Sequence, residues 1–310
     1  MNTEQMASEM DNAPVVSVVI PTYYRNDALR ETLQSVVQQS YEPIEVIVVD
    51  DSGEQHAQTV VDEVDDVTYI GLAKNRGANG ARNVGAEVAS GEYIHFLDDD
   101  DQLYDDALAK QVRVAREHPA AGVVYTGVET TEGRVALPDE AIRGDVLDHA
   151  LAFDMWPCMT STILAHRDAL AEVLPFTDRP AANDIEFMID LATVTQFEFV
   201  AEPLVLKRVD RNSLGHSMAA VDGRKAILEE YAPLYADRPA EIREAALAET
   251  YLTEAEFTIL DKGVSVFALA TLSKYVYHTP DSKLTAAALL AAGCLGRPGW
   301  RAVRYLGGIL

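Results

Sequence analysis

The chain has 310 residues, 48% of them hydrophobic, which suffices for a sizeable core and excludes a disordered polymer. Fifty acidic residues face 25 basic ones, of which only seven are lysine, and a formal net charge of -25 excludes nucleic acid as the main partner, since phosphate binding needs clustered bases. High acid with little lysine resembles proteins from high-salt cytoplasms, where salt screens the self-repulsion.

Residues 1–14 read as a loose acidic tail without a signal-peptide pattern. "VVSVVIP" (Val15–Pro21) is a continuous β-branched run, the mark of a strand buried on both faces. "DALRETLQSVVQQ" follows with Leu29, Leu33, Val36 and Val37 at helical spacing. "IEVIVVDD" is a second buried strand, "QTVVDEV" a short helix and "VTYIGL" a third strand. "GARNVGAEVAS" is helical, with Gly91 as its stop signal. "EYIHFLDD" is a fourth strand, "DDALAKQVRVAREH" a helix closed by Pro119, and "AGVVYTGV" a fifth strand. This alternation predicts an α/β fold with a mostly parallel, Rossmann-like, doubly wound sheet flanked by helices.

Later segments are less regular. "TSTILAHRDAL" predicts a strand and a helix start, "ANDIEFMIDLATV" a helix, and "FEFVAEPLVLKRV" two short strands. From Ser217 onward the pattern is helical. The expected organisation is a tail over 1–14, a nucleotide-binding half over 15–128, an acceptor-binding and catalytic-base half over 129–216, and a helical C-terminal extension over 217–310. No apolar segment reaches the roughly 18 residues that span a bilayer, so the expected location is cytoplasmic. Cys158 and Cys294 make no disulfide framework and read as buried, inert thiols.

Polar residues gather at the carboxyl ends of the predicted strands, where open α/β sheets bind ligands. The first strand ends in "PTYYRN", the second in Asp50-Asp51-Ser52, the third leads into "NRGANGARN", and the fourth ends in Asp98-Asp99-Asp100-Asp101. No G-x-G-x-x-G follows the first strand, and no phosphate loop is present. Four adjacent carboxylates repel one another. They suit a divalent cation better than plain surface acidity, which would not favour strand ends so selectively.

"VSVVIPTYYR", "IEVIVVDDS", "NRGANGARNVGAEVASGEYIHFLDDDD" and "NDIEFMIDLA", in this order, resemble the inverting family-two glycosyltransferases of GT-A fold, over roughly residues 15–210. The resemblance implies transfer of a sugar from a nucleotide diphosphate donor, a UDP-sugar, with Mg²⁺ or Mn²⁺ on the leaving diphosphate. It implies nucleotide contacts by Pro21, Thr22, Tyr23, Arg25, Asp51, Gly80, Arg82, Asp98 and Asp99. The family's Asp-any-Asp pair has an open register here: strand length selects Asp98 and Asp100 for the metal, with Asp101 next. Asp184 matches the general base. The Glu that usually precedes the base is Asn183, Glu186 is the fallback, and Asp190 stands where an Arg is common. The basic stretch Leu204–Ser217, with Lys207, Arg208 and His216, resembles the loop that closes over the diphosphate. The Gln-x-x-Arg-Trp motif of processive synthases is absent from the chain, so one sugar per encounter is expected.

From Ser282 to Leu310 there is no acid and there are four bases, Lys283, Arg297, Arg301 and Arg304. Trp300, Val303, Tyr305 and Leu306 share a helical face beside them. This pattern suits a helix in the interface of an anionic membrane, or packing against the catalytic domain or a second copy of the chain as a homo-oligomer. The expected acceptor is a lipid-linked saccharide or polyprenyl phosphate on the inner face of the cell membrane, in a surface-glycan or N-glycosylation pathway. The alternatives are a sugar-nucleotide-binding scaffold without activity, supported only by Asn183, and a nucleotidyltransferase, which would want a basic glycine-rich loop after the first strand.

Overall fold

The computed structural model describes residues 13–177, 179–209, 217–279 and 283–307. The chain divides into two compact units, one of residues 1–146, 155–178 and 187–209, the other of 147–154, 179–186 and 210–310.

The first unit is built on a sheet. Strand β1 (Val16–Thr22) is buried along its whole length. It lies parallel between β2 (Ile44–Asp50) and β4 (Tyr93–Phe96), and β3 (Val67–Gly71) runs parallel to β2. Helices α1 (Asn26–Val37), α2 (Gln58–Val61) and α3 (Gly77–Val88) make the crossovers. Leu29, Leu33 and Val36 of α1 enter the core, where they meet Val16, Val18 and Ile20. Val37, grouped with them by spacing, is exposed at the end of the helix.

Beyond β4 the sheet becomes mixed. It continues through β5 (Gln102–Leu103), α4 (Ala107–Glu117), β6 (Ala121–Thr130), β7 (Val135–Ala136), β8 (Ile163–His166), α6 (Arg167–Val173) and β9 (Gln196–Lys207); α5 (Leu147–Leu151) belongs to the other unit. Among the described residues the order is β3-β2-β1-β4-β8-β6-β9-β5, with β7 beside β6. β8 is antiparallel to both neighbours, β6 and β9 are parallel, and β5 is antiparallel to β9. The parallel order read from the sequence therefore holds for β1 to β4 and for one later pair. The expected boundary at 128/129 falls inside β6.

Two local expectations need correction. "FEFVAEPLVLKRV" is one strand, β9, not two. Its register against β6 shifts on both sides of Gly127, which pairs with Pro203, and these irregularities absorb a proline that cannot donate to the ladder. Gly91 is not the stop of α3, which ends at Val88. A Cβ on Gly91 would lie 2.7 Å from Ser17 N and Val15 O, so this glycine admits the β1 backbone.

Helix α7 (Asn183–Val194) starts in the second unit and ends in the first. The second unit continues as α8 (Met218–Glu230), α9 (Ala232–Ala236), α10 (Ala240–Lys262), α11 (Val266–His278), α12 (Lys283–Cys294) and α13 (Gly296–Gly307). Its core sets Ala248, Ala255, Ala268, Ala286 and Ala292 around Ile259, Leu272, Tyr275, Leu289 and Trp300. Trp300 is only 1% exposed, and Val303 packs beside the same cluster. The face assigned to lipid is thus covered by neighbouring helices at these two positions, because the alanines leave room for the indole. Tyr305 and Leu306 have side chains outside the described residues. Cys158 is buried as expected, but Cys294 is exposed at the last position of α12. Among the described residues no helix is long and apolar enough to cross a membrane.

Candidate active site

The carboxyl ends of β1, β2 and β4 bring the predicted donor residues together within the first unit. Pro21 and Thr22 close β1 and are buried, while Tyr23, Tyr24 and Arg25 leave the sheet into solvent. At the end of β2, Asp50 and Asp51 face different tasks. Asp50 accepts from Ser52 N at 2.9 Å, Ala57 N at 2.7 Å and Tyr69 Oη at 2.8 Å. Burial works against its charge, but these donors outweigh it and hold the carboxyl below its ordinary range. It is a structural anchor for the turn. Asp51 is buried too and accepts from Arg76 N at 2.6 Å. Burial raises its pKa despite the backbone donors at Arg76 and Gly77.

After β4 the four aspartates form a turn closed by Asp101 N donating to Asp98 O at 3.1 Å. The carboxylates differ in their partners, although Asp99 and Asp100 share Arg25. Asp98 takes Arg82 Nη2 at 2.6 Å. Asp99 takes Thr22 Oγ1 at 2.7 Å and Arg25 Nη1 at 3.3 Å. Asp100 takes the same Arg25 Nη1 at 2.6 Å. Asp101, fully buried, accepts from Arg208 N at 3.0 Å and Lys207 Nζ at 3.5 Å.

The electrostatics differ accordingly. Burial pushes Asp99 up to about 6, with the charges of Asp100 and Asp98 adding to it against Thr22 and Arg25. Burial likewise lifts Asp101 to about 6 against the pull of Lys207. Asp100 is raised, again chiefly by burial. Asp98 alone is lowered: burial opposes its charge, but Arg82, Lys207 and Arg25 prevail. Lys207, the last residue of β9, is held charged by Asp101, Asp98 and Asp100 in spite of burial.

These residues fit a divalent cation by chemistry. The donor set is hard carboxylate oxygen on a tight turn, and magnesium is usually held by one or two carboxylates together with substrate phosphates rather than by a full protein cage. Among the described residues no three His, Cys, Asp or Glu side chains converge into such a cage. Arg82 Nε is buried with no partner among the described residues, beside Asp98.

The glycine-rich stretch begins α3. Gly77 has φ +75, a left-handed conformation that glycine adopts without strain. Gly80 fits for another reason: a Cβ there would lie 2.6 Å from Arg76 Cβ. The sequence did not single out Asn79 and Asn83. Asn79 donates to Thr177 O at 2.8 Å, and Asn83 pairs with the backbone of Phe176 on both sides, at 2.7 and 3.0 Å. Their separation of four residues, which puts both on one helix face, was the available signal.

Asp184 lies in the first turn of α7, within the second unit. It is exposed, its Oδ1 accepts from Ile185 N at 3.0 Å, and its charge acts on Arg224. Glu186 is buried and engaged by Arg179 through Nε at 2.8 Å and Nη2 at 3.2 Å, while Arg179 Nη2 also reaches Glu230 at 2.6 Å. Both oxygens of this carboxylate are engaged by the guanidinium fork. Asn183 Oδ1 is buried with no partner among the described residues. His216 lies outside the described residues.

A sequence model of "Glycosyl transferase family 2" matches residues 17–174, just over half of the chain. The chain belongs to this family. A "GalNAc(5)-diNAcBac-PP-undecaprenol beta-1,3-glucosyltransferase" of Campylobacter jejuni is 37% identical over 109 residues, 34% of this chain and 35% of that protein. The match thus spans about a third of that relative's length. Among solved structures, S. aureus TarS 1–349 in complex with UDP-GlcNAc superposes with a TM-score of 0.62 at 19% identity, over 94% of this chain and 92% of that one. A mannosyltransferase from Pyrobaculum calidifontis in complex with GDP-Man and Mn²⁺ superposes with a TM-score of 0.59 at 22% identity, over 92% and 82%. These two likenesses establish the GT-A fold, with a helical region following it.

Proposed function

We propose that this protein is a metal-dependent inverting glycosyltransferase. It moves one sugar from a UDP-sugar to a hydroxyl of a lipid-linked saccharide or polyprenyl phosphate at the inner face of the cell membrane. The observation that carries the reading is the gathering of Thr22, Asp51 and the Asp98–Asp101 turn at the ends of three adjacent strands, with Arg82 reaching Asp98 from α3, inside the region matched by the family model. The UDP-GlcNAc complex of TarS supports the choice of donor, and the undecaprenol-linked substrate of the Campylobacter relative supports the choice of acceptor.

The residues divide the work as follows. Asp51 accepts from the base, and Thr22, Tyr23 and Arg25 line the nucleotide. Asp98 and Asp100 would hold the cation, and the Mn²⁺ in the complex of the Pyrobaculum enzyme supports a metal-dependent reading. Asp101 anchors the turn to the end of β9. Bound there, the ion would act as a Lewis acid on the departing diphosphate. Arg82, Lys207 and Arg208 supply positive charge to the same group. Asp184 takes the proton from the acceptor hydroxyl in a single displacement.

A panel of UDP- and GDP-sugars with and without Mn²⁺, followed by transfer to a polyprenyl-diphosphate saccharide, tests this. UDP-sugars should bind in a metal-dependent way. Asp184→Asn should keep donor affinity and lose transfer by about 10²–10⁴-fold. Unchanged transfer by that variant would remove the base assignment, and preference for GDP-sugars would overturn the donor.

A further inference from the structure

The helical unit carries an apolar tip that its own fold leaves uncovered. Helix α10 ends and α11 begins around residues 263–265, and α12 meets α13 at Leu295. The two connections lie side by side: a Cβ on Gly296 would come within 2.9 Å of Val264 Cγ2, and the Arg297 guanidinium donates to Asp261 O. Val264 is 51% exposed, Val266 86%, Phe267 56% and Leu295 71%. Val264 and Leu295 lie on the two neighbouring connections and Val266 and Phe267 on the first turn of α11, so four large apolar side chains gather at one tip, unlike scattered surface leucines, and such patches mark interaction sites.

Charge identifies the occupant. From Asp261 to Leu310 there are six Lys and Arg residues and two acids, Asp261 and Asp281, in a chain of net charge -25. Lys262, Arg297 and Arg301 are exposed, and Arg297 and Arg301, four residues apart, share a face of α13. A second copy of the chain would bring these cations against themselves. An anionic bilayer would receive the apolar tips among its acyl chains and the cations among its headgroups.

We propose that the α10–α11 and α12–α13 loops insert into an anionic membrane surface. The docking element is thus the loop pair, not the face of α13 that bears the buried Trp300. The inference deepens the lipid-linked acceptor reading and rests on it for the presence of a membrane.

The test is flotation of the full chain with vesicles of equal parts phosphatidylglycerol and phosphatidylcholine, and with phosphatidylcholine alone, at about 0.1 M and about 2 M KCl, where screening lengths differ several-fold. Wild type should bind the anionic vesicles. Val266→Asp/Phe267→Asp should weaken binding at least about tenfold at both salt concentrations, since apolar insertion resists screening. Arg297→Gln/Arg301→Gln should weaken it at low salt only. Equal binding by wild type and the double Asp variant would overturn the proposal, as would no vesicle binding by wild type. A dimer in sedimentation velocity that the double Asp variant dissolves, without vesicle binding, would assign the patch to a second copy instead. Thermal melts confirm that the variants, altered only at exposed positions, are folded. Transfer to a short-chain, water-soluble acceptor separates the two readings. Activity there without vesicle binding sinks the insertion alone, and vesicle binding without activity sinks the transferase reading alone.

Discussion

At the scale of single residues, neighbouring carboxylates are set apart by their donors. Asp50 is charged because three groups point at it, and Asp→Asn there would place an amide NH₂ either against Ala57 N–H and the Tyr69 hydroxyl, which share Oδ2, or against Ser52 N–H, which donates to Oδ1. We expect Asp50→Asn to cost about 1–3 kcal/mol at neutral pH. Because the folded-state pKa is depressed, the Asp50 contribution is full above the ordinary carboxylate value of 3.8 and is lost as pH falls through the lower folded value. Urea melts of wild type and variant should therefore differ most above about pH 4 and converge in stronger acid. The Arg179–Glu186 pair calls for a different comparison. Arg179→Ala removes two charge-assisted hydrogen bonds from a buried carboxylate and should cost about 1.5–3 kcal/mol. Glu186→Gln should lower the melting temperature yet keep sugar transfer, and loss of transfer in a folded Gln variant would return Glu186 to the chemistry. The aspartate run itself was legible in the sequence, since four adjacent Asp after an apolar strand is a local pattern. Its partners were not. Thr22 lies 77 positions from Asp99, and Lys207 lies 106 from Asp101, distances at which only the folded sheet creates proximity.

At the scale of elements, periodicity served well wherever burial is uniform. The β-branched runs became β1 and β2, and the 3.6-residue pattern became α1 and α4, with ends within a residue or two of those expected. It failed where tertiary packing overrides local preference. Pro203 reads as a break, yet a change of register opposite Gly127 lets β9 pass through it. Gly91 reads as a helix stop, yet its requirement is set by Val15 and Ser17, more than 70 residues earlier. Gly91→Ala should therefore destabilise by about 1–3 kcal/mol, because two of the three obstructing atoms, Ser17 N and Val15 O, are backbone and cannot rotate away. A denaturant midpoint unchanged from wild type would show that the stop-signal reading was sufficient after all.

At the scale of the whole molecule, charge governs the conditions under which the fold is stable. With 50 acids and 25 bases, like-charge repulsion is long-ranged at about 0.1 M salt, where the screening length is about 10 Å, and is cut to about 3 Å at 1 M. Melting temperature should rise with KCl over that range, and NaCl at equal ionic strength should reproduce the rise, since screening depends on ionic strength. A flat salt profile would remove the high-salt reading of the composition.

The aspartate turn has a further consequence for the sheet that carries it. β4 and β5 are four places apart in the strand order, about 19 Å on a flat sheet. The chain from Phe96 to Gln102 must cover that separation with six links, three of them folded into the turn. A turn spans under about 7 Å. The other three links add about 11 Å, so even laid end to end the segment falls short. The strands cannot lie flat: the sheet has to curl until its β5 edge approaches β4. The four carboxylates then serve as the strap across that closure, and the length of the strap sets how far the sheet can open.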